Sequence, residues 1–508
     1  MYNPKKVIIM KCFKSLFVFL CIALCFASCS EEPGYKNVIP KDANVVFSIS
    51  LKDILSNTKL PEGALNKLKD LSSKQVSGSD LDKISDIVDG KQSIGIDLSL
   101  PFYFFRSPEV EAALTMKVEN QEKLDEFFDL LDRQDICSKP TEKDGLKWRE
   151  LMNEVTIAYN SETLMLMALT QESTAKKTIA KLFDQSGGDS FCETEAFDKF
   201  DSKKGAFRLF VNGSTVAESP ELNGYISSLL PENVKVKDAS LVTDFVFGNG
   251  RLDIDTEIFS DNKDAQKFLE RQDEMYDKIN GDFIAAPNDF LVWAGADVDG
   301  EKIVDRFKEI EGVKGAMTFL ERGIDIENIL KAIKGDIALS IPSVNNGAEF
   351  VLTAKTKNTD FLKDVSGWQE TMKDFGYSMT ENSKNNFSLR MPGESTINWG
   401  VEGDNLYFAS ENSFFKSAFT EKSDRLKAVA DEIKGSVFYV YINPDAIANM
   451  PDFAMAKGIL SKINRITFKG NNSHSTTVSL VLNNDKDYFI TQVLDIAYKT
   501  VEAFLSNK

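Results

Sequence analysis

The sequence predicts an α+β protein: a tandem duplication of one α+β unit with mostly antiparallel sheets and flanking amphipathic helices. Three observations lead there. Short runs alternate apolar and polar residues with period two and end at Gly, Asn or Asp, as strands with one wet face do. Stretches between them repeat apolar residues at helical spacing. The second half also retraces the first in order, the signature of an internal repeat. With 508 residues, 42% of them apolar and 27% charged, the composition excludes a disordered tail, a collagen-like rod and a polytopic membrane protein.

Taken in order, the chain opens with Lys5, Lys6, Lys11 and Lys14 before an apolar run from Leu16 to Ala27 that leads into Cys29. That run suits a signal-peptide core of about 7–15 residues and falls short of the ~20 needed to span a bilayer. Residues 1–28 are therefore expected to be a lipoprotein signal peptide, with Met10 as an alternative start. Phe26-Ala27-Ser28-Cys29 resembles a bacterial lipobox, whose cysteine is acylated (palmitate) and becomes the first mature residue; Phe26 departs from the usual Leu. Plain secretion, with Cys29 incidental, is the alternative. Ser30-Glu31-Glu32 resembles the Ser-plus-acidic export signal of Bacteroides-type surface lipoproteins, and residues 29–36 read equally well as a polar tether. Loss of four lysines and no acid with the leader takes the net charge from −18 to −22. Such a field repels phosphate backbones, so no nucleic-acid partner is expected. Of six cysteines, only Cys137 and Cys192 remain in the body, and two free thiols are expected rather than a disulfide.

Copy one covers residues 37–286 and copy two 287–508. Pro40-Lys41-Asp42 before Val45 matches Pro287-Asn288-Asp289 before Val292, and Gly90 matches Gly335. Leu114-Thr115 and Lys117 match Leu352-Thr353 and Lys355, Thr156-Ile157 matches Thr396-Ile397, and Lys204-Gly205 matches Lys434-Gly435. Gly248-Asn249 matches Gly470-Asn471, by which point the offset has drifted from 247 to 222 without a break in order. Within the copies, Leu252, Ile254, Thr256 and Ile258 alternate with acids after a Gly248-Asn249-Gly250 turn. Ile397, Trp399 and Val401 alternate before a Glu402-Gly403-Asp404 turn into a strand at Leu406; hairpins of this kind favour antiparallel sheets. A last helix from about Asp487 carries Ile490, Val493, Leu494, Ala497, Val501, Phe504 and Leu505 on one stripe, expected to face the core.

Catalytic patterns are few. His474 is the sole histidine, which excludes HExxH zinc sites, and it lies in a polar turn expected to be solvated. Ser173-Thr174-Ala175-Lys176 and Ser413-Phe414-Phe415-Lys416 spell SxxK at the same relative place, and Ser260-Asp261-Asn262 supplies the second motif of serine acyl-enzymes, but their Lys-Thr-Gly element is absent. Helix capping explains these residues better. Asp297, Asp299 and Glu301 offer carboxylates to a cation, yet fall short of a calcium loop and read as a cap on a helix from Lys302. Trp148, Trp293, Trp368 and Trp399 would serve a sugar-binding surface only if exposed. The run Phe102-Tyr103-Phe104-Phe105 places aromatics on both faces of a strand and is the preferred interaction patch.

The leader ending in Phe26-Ala27-Ser28-Cys29, the acidic tether and Val38-Ile39-Pro40-Lys41-Asp42-Ala43 before a strand together resemble a Bacteroidetes family of large uncharacterised lipoproteins, a domain of unknown function. The resemblance implies an envelope location and carries over no active-site residue. The expectation is thus a lipid-anchored outer-membrane protein, at the cell surface or the periplasmic face. It would be a non-enzymatic binding or structural module with no catalytic residue, no cofactor, no metal, lipidation at Cys29 and a membrane contact through that lipid. Its protein or glycan partner stays open. A serine-dependent envelope hydrolase using Ser173 or Ser413 and a surface glycan-binding lipoprotein are the alternatives.

Overall fold

A computed structural model describes residues 34–506 except 62, 65, 67, 68, 70–78, 153, 169–171, 288, 311, 312, 314–324, 343–348, 375, 391–395 and 411–422. The chain divides into two compact units: Met1–Asn212 with Val242–Asn249 and Lys486–Lys508, and Gly213–Leu241 with Gly250–Asp485. The fold is α+β, and every described strand pair detailed below is antiparallel.

In the first unit the strands are β1 (Val45–Ile49), β2 (Phe102–Ser107), β3 (Val110–Lys117), β4 (Thr141–Lys143), β5 (Leu146–Leu151), β6 (Val155–Tyr159), β7 (Thr163–Ala168), β8 (Phe207–Asn212) and most of β9 (Ser240–Gly248). Pairing gives the order β4-β5-β6-β7-β3-β2-β1-β8. One face is covered by the helices Ser79–Val88 and Gln121–Arg133. Asn120 caps the latter, its side chain accepting from Lys123 N, and Leu124, Phe127, Phe128 and Leu131 recur at the spacing that buries one helical stripe. The helix start lies so close to Gly95 (φ +79°) that a Cβ there would meet the backbone of Asn120 and Leu124, which only glycine allows. Leu124 and Phe128 join Phe102, Met116, Ile157, Tyr159 and Leu164 in one core. Tyr103 packs on the opposite face against Tyr35 and Phe200 at 5.9 and 6.4 Å.

The second unit contains β10 (Arg251–Phe259), β11 (Tyr276–Asp277), β12 (Val292–Asp299), β13 (Ile333–Ile341), β14 (Val351–Thr356), β15 (Ser378–Ser383), β16 (Asn386–Arg390), β17 (Thr396–Glu402), β18 (Asn405–Ala409), β19 (Phe438–Ile442), β20 (Ile463–Asn472) and β21 (Ser475–Leu482). Its order is β15-β16-β17-β18-β14-β13-β12-β19-β20-β21-β10, with β11 on the far end of β12. The eight strands from β15 to β19 thus follow the order that β4 to β8 follow in the first unit. The anticipated hairpin at residues 402–404 joins β17 to β18, with Gly403 at φ +64°. Seven residues of β10 pair with β21, so a strand of the first sequence copy lies beside the last strand of the second within this unit.

Two expectations are corrected. Phe102, Tyr103 and Phe105 are 1–3% exposed and only Phe104 reaches 36%, so the run is core rather than an interaction patch. The reason is that β2 is an inner strand, paired with β1 and β3, with Phe102 in the core on one face and Tyr103 against Tyr35 and Phe200 on the other. The last helix, Phe489–Ser506, is docked by Phe489 against Phe247 at 6.0 Å and by Lys59 N donating to Thr491 Oγ1. Val493 is nevertheless 44% exposed and Ala497 is exposed, so the apolar stripe is not wholly core-facing.

Candidate functional site

The described concave feature with the clearest chemistry is an apolar cavity of about 320 Å³ in the second unit. It lies between a five-strand stretch of sheet and two helices. The alternation of a pleated sheet brings to one face Ile337 of β13, Leu352 and Ala354 of β14, and Leu406 and Phe408 of β18. Ile397 and Trp399 of β17 and Leu389 of β16 continue that face. Above it runs the helix Ile326–Ala332, capped by Asp325, whose carboxylate accepts from Asn328 N at 3.0 Å. Ile326, Ile329 and Leu330 line the cavity from this side at the i, i+3, i+4 spacing of one helix face, and Ile333, the first residue of β13, follows them. Trp368 of the helix Val365–Asp374 closes one flank, tilted against Trp399 at 6.1 Å, and Trp399 stacks on Phe387 at 4.5 Å. Every described lining residue is apolar.

The corresponding face of the first unit is filled. By register, Leu114 and Met116 of β3 occupy the places of Leu352 and Ala354, Ile157 and Tyr159 those of Trp399 and Val401, and Arg149 that of Phe387. Arg149 is 2% exposed, lies over the Phe128 ring, and donates to Asp129 at 2.6 Å and Tyr159 Oη at 3.3 Å. In the second unit a methyl replaces the Met116 side chain, and Ile329, Leu389 and Phe408 are only partly buried.

Contacts on the far side hold the covering helix in place. Glu327 receives Lys308 and Lys331, each at 2.6 Å, and these lysines hold its carboxyl below the usual range. Gly300 lets the helix Gly300–Phe307 approach the Leu330 carbonyl where a Cβ would collide.

The carboxylates singled out in the sequence go to separate partners. Asp299 caps the helix Gly300–Phe307 by accepting from Glu301 N and Lys302 N and pairs with Lys334 at 2.5 Å, while Glu301 pairs with Lys357 at 2.8 Å. Asp297 stands opposite Asp336. Asp336 accepts three backbone N–H groups, from Asn280, Gly281 and Asp282, at 2.6–2.8 Å. Burial, and then the Asp336 charge, push Asp297 up to about 6. Among the described residues no group of three His, Cys, Asp or Glu could hold a metal ion.

Asn262 caps the helix Lys263–Asp273 through two backbone N–H groups. Ser173 lies in the first turn of the helix Glu172–Asp184, and Lys176, the base its hydrolase role requires, pairs with Glu150 at 3.2 Å. His474 sits in the β20–β21 turn with Nδ1 3.7 Å from Asp273. All four tryptophans are 1–6% exposed, so none presents a ring to a surface glycan. Cys137 is buried and Cys192 half-buried, both free; burial raises both thiols, Cys137 to about 11. Cys29, Ser30, Glu31, Glu32 and Ser413 lie outside the described residues.

Fold and site together define an antiparallel α+β protein with one filled and one hollow sheet-and-helix core. Residues 35–487 match the family described as Domain of unknown function (DUF4836), and the chain belongs to that family. No curated protein matches it. Among solved structures, crystal form I of TP0453 is 14% identical, covering 49% of this chain and 88% of that one at a TM-score of 0.25. Crystal form IV of TP0453 is 13% identical, covering 45% and 81%, also at 0.25.

Proposed function

We propose that this is a lipid-anchored, duplicated module of the bacterial cell envelope that works by binding rather than by turnover. The observation that carries the binding reading is the apolar cavity of the second unit: its described walls offer hydrocarbon and rings, the lining that suits holding an apolar molecule. The shared strand order of the two units, together with the ordered sequence matches, supports descent from a duplicated unit. Support for anchoring comes from the Lys-rich leader and the residues before Cys29, with Ser30, Glu31 and Glu32 favouring an outer-membrane site facing either the surface or the periplasm. The lipid on Cys29 is then the membrane contact.

Metabolic labelling with radioactive palmitate, followed by fractionation, tests the anchor. Wild type should incorporate label and sediment with membranes, and Cys29→Ala should lose both. Label retained by Cys29→Ala would refute anchoring there. Protease shaving of intact cells, with Glu31/Glu32→Ala beside wild type, then assigns the face. Binding by the cavity is tested below.

A further inference from the structure

The cavity has a shape as well as a chemistry. Its sheet wall runs across five neighbouring strands in the order β13-β14-β18-β17-β16, from Ile337 at one end to Leu389 at the other. Four steps of about 4.8 Å make this roughly 19 Å. A volume of about 320 Å³ along a wall of that length suits an elongated occupant better than a compact one. A dry apolar cavity of roughly 150 Å³ accepts a six-carbon ring, so about twice that volume takes roughly twelve carbons. The described walls give a polar group no partner, and a buried unpaired polar group is costly. Whatever enters must therefore be hydrocarbon along its inserted length, with any polar end left at the mouth.

We infer that the cavity of the second unit binds the alkyl tail, about twelve carbons long, of a single-chain amphiphile of the fatty-acid type. This rests on the binding reading above and names its ligand class. Ala354 sets the available space: where β3 of the first unit carries Met116, β14 carries a methyl, and the place that Met116 fills in one core is open in the other.

Trp368 and Trp399 line the cavity and report occupancy directly. The mature chain carrying Cys29→Ala, which needs no detergent, is titrated with dodecanoate while tryptophan emission is followed, with naphthalene as a ring-shaped comparison probe. Dodecanoate should bind saturably at one site and at least tenfold more tightly than naphthalene. Ala354→Met, and separately Leu352→Phe, should weaken dodecanoate at least tenfold while the thermal midpoint stays level or rises, since both put side-chain volume into empty space. That combination separates a blocked cavity from a damaged fold. Saturable naphthalene binding without dodecanoate binding would overturn the alkyl-chain assignment and leave the binding reading standing. Saturation by neither probe, or unchanged dodecanoate affinity in both filled variants, would overturn both.

Discussion

Replacing Asp297 by Asn should stabilise the second unit at neutral pH and abolish a pH dependence in mildly acidic solution. Asp297 is 5% exposed and faces Asp336, 2% exposed, across β12 and β13. Burial first and the Asp336 carboxylate second raise its pKa from 3.8 to about 6, with Asp277 adding to the rise and Lys334 opposing it. A carboxyl whose folded pKa exceeds its unfolded value opposes folding when ionised. Its cost is absent below about pH 4, grows as the pH rises, and is complete above about pH 6. Two pKa units correspond to about 3 kcal/mol. Asn removes the charge yet keeps an oxygen to accept from Asn280 Nδ2, which now donates to Asp297 at 2.7 Å, and gains an N–H to offer Asp336. Urea unfolding followed by tryptophan emission suits the test, because Trp293, Trp368 and Trp399 all lie in this unit. Measured from pH 4 to 8, the advantage of Asp297→Asn should climb from near zero to about 3 kcal/mol. A constant difference across that range, or a variant less stable than wild type at pH 7.5, would refute the reasoning.

Other substitutions probe the remaining supports. Arg149→Ala should destabilise the first unit by about 3 kcal/mol, because it empties packing over Phe128 and strips partners from Tyr159 and the Ser138 carbonyl; urea unfolding followed at Trp148 measures this, and a loss under 1 kcal/mol contradicts it. Gly300→Ala should cost about 2 kcal/mol or more, since its methyl would strike the Leu330 carbonyl, and should lower the thermal midpoint. Cys137, with its thiol raised to about 11, should resist iodoacetamide at pH 8 in the folded protein and react promptly in urea. Rapid native alkylation, read by peptide mass spectrometry, would show the burial argument to be wrong.

How far the sequence discloses this molecule depends on whether the feature is periodic or volumetric. The β17–β18 hairpin is legible because alternation and a Glu-Gly-Asp turn are local properties, and Gly403 adopts the positive φ that such a turn demands. Asn262 and Asp299 are legible as caps for the same reason: a short side chain satisfies N–H groups two or three residues ahead. The aromatic run at Phe102 misleads because four neighbouring rings cannot reveal that three of them, Phe102, Tyr103 and Phe105, are buried on an inner strand. The last helix misleads differently, since an apolar stripe states what could be buried and not what arrives to bury it. The cavity leaves one sequence trace: aligning Leu114-Thr115 with Leu352-Thr353 places Met116 over Ala354. A single Met-to-Ala difference gains meaning only when strand order and register show both residues facing the same layer.

A sheet-and-helix layer with a hollow beneath it must be held open by something other than its own core, and the contacts around the helix Ile326–Ala332 supply that. Lys308 and Lys331 converge on Glu327, Asp325 caps the first turn, and the Leu330 carbonyl rests against Gly300. Exposed ion pairs contribute little one at a time, but here they act on one short helix from the side away from the sheet. These outer contacts add to the packing of Ile329, Leu330 and Ala332 on the sheet side. In the first unit Leu124, Phe128 and Leu131 anchor their helix from below, and a hollow there would cost the anchor itself. If the outer contacts are what keep the second layer apart, Glu327→Ala should let the helix settle onto the sheet. Dodecanoate affinity should then fall while the thermal midpoint changes little, whereas an unchanged affinity would show that packing at the ends of the helix alone holds the space open.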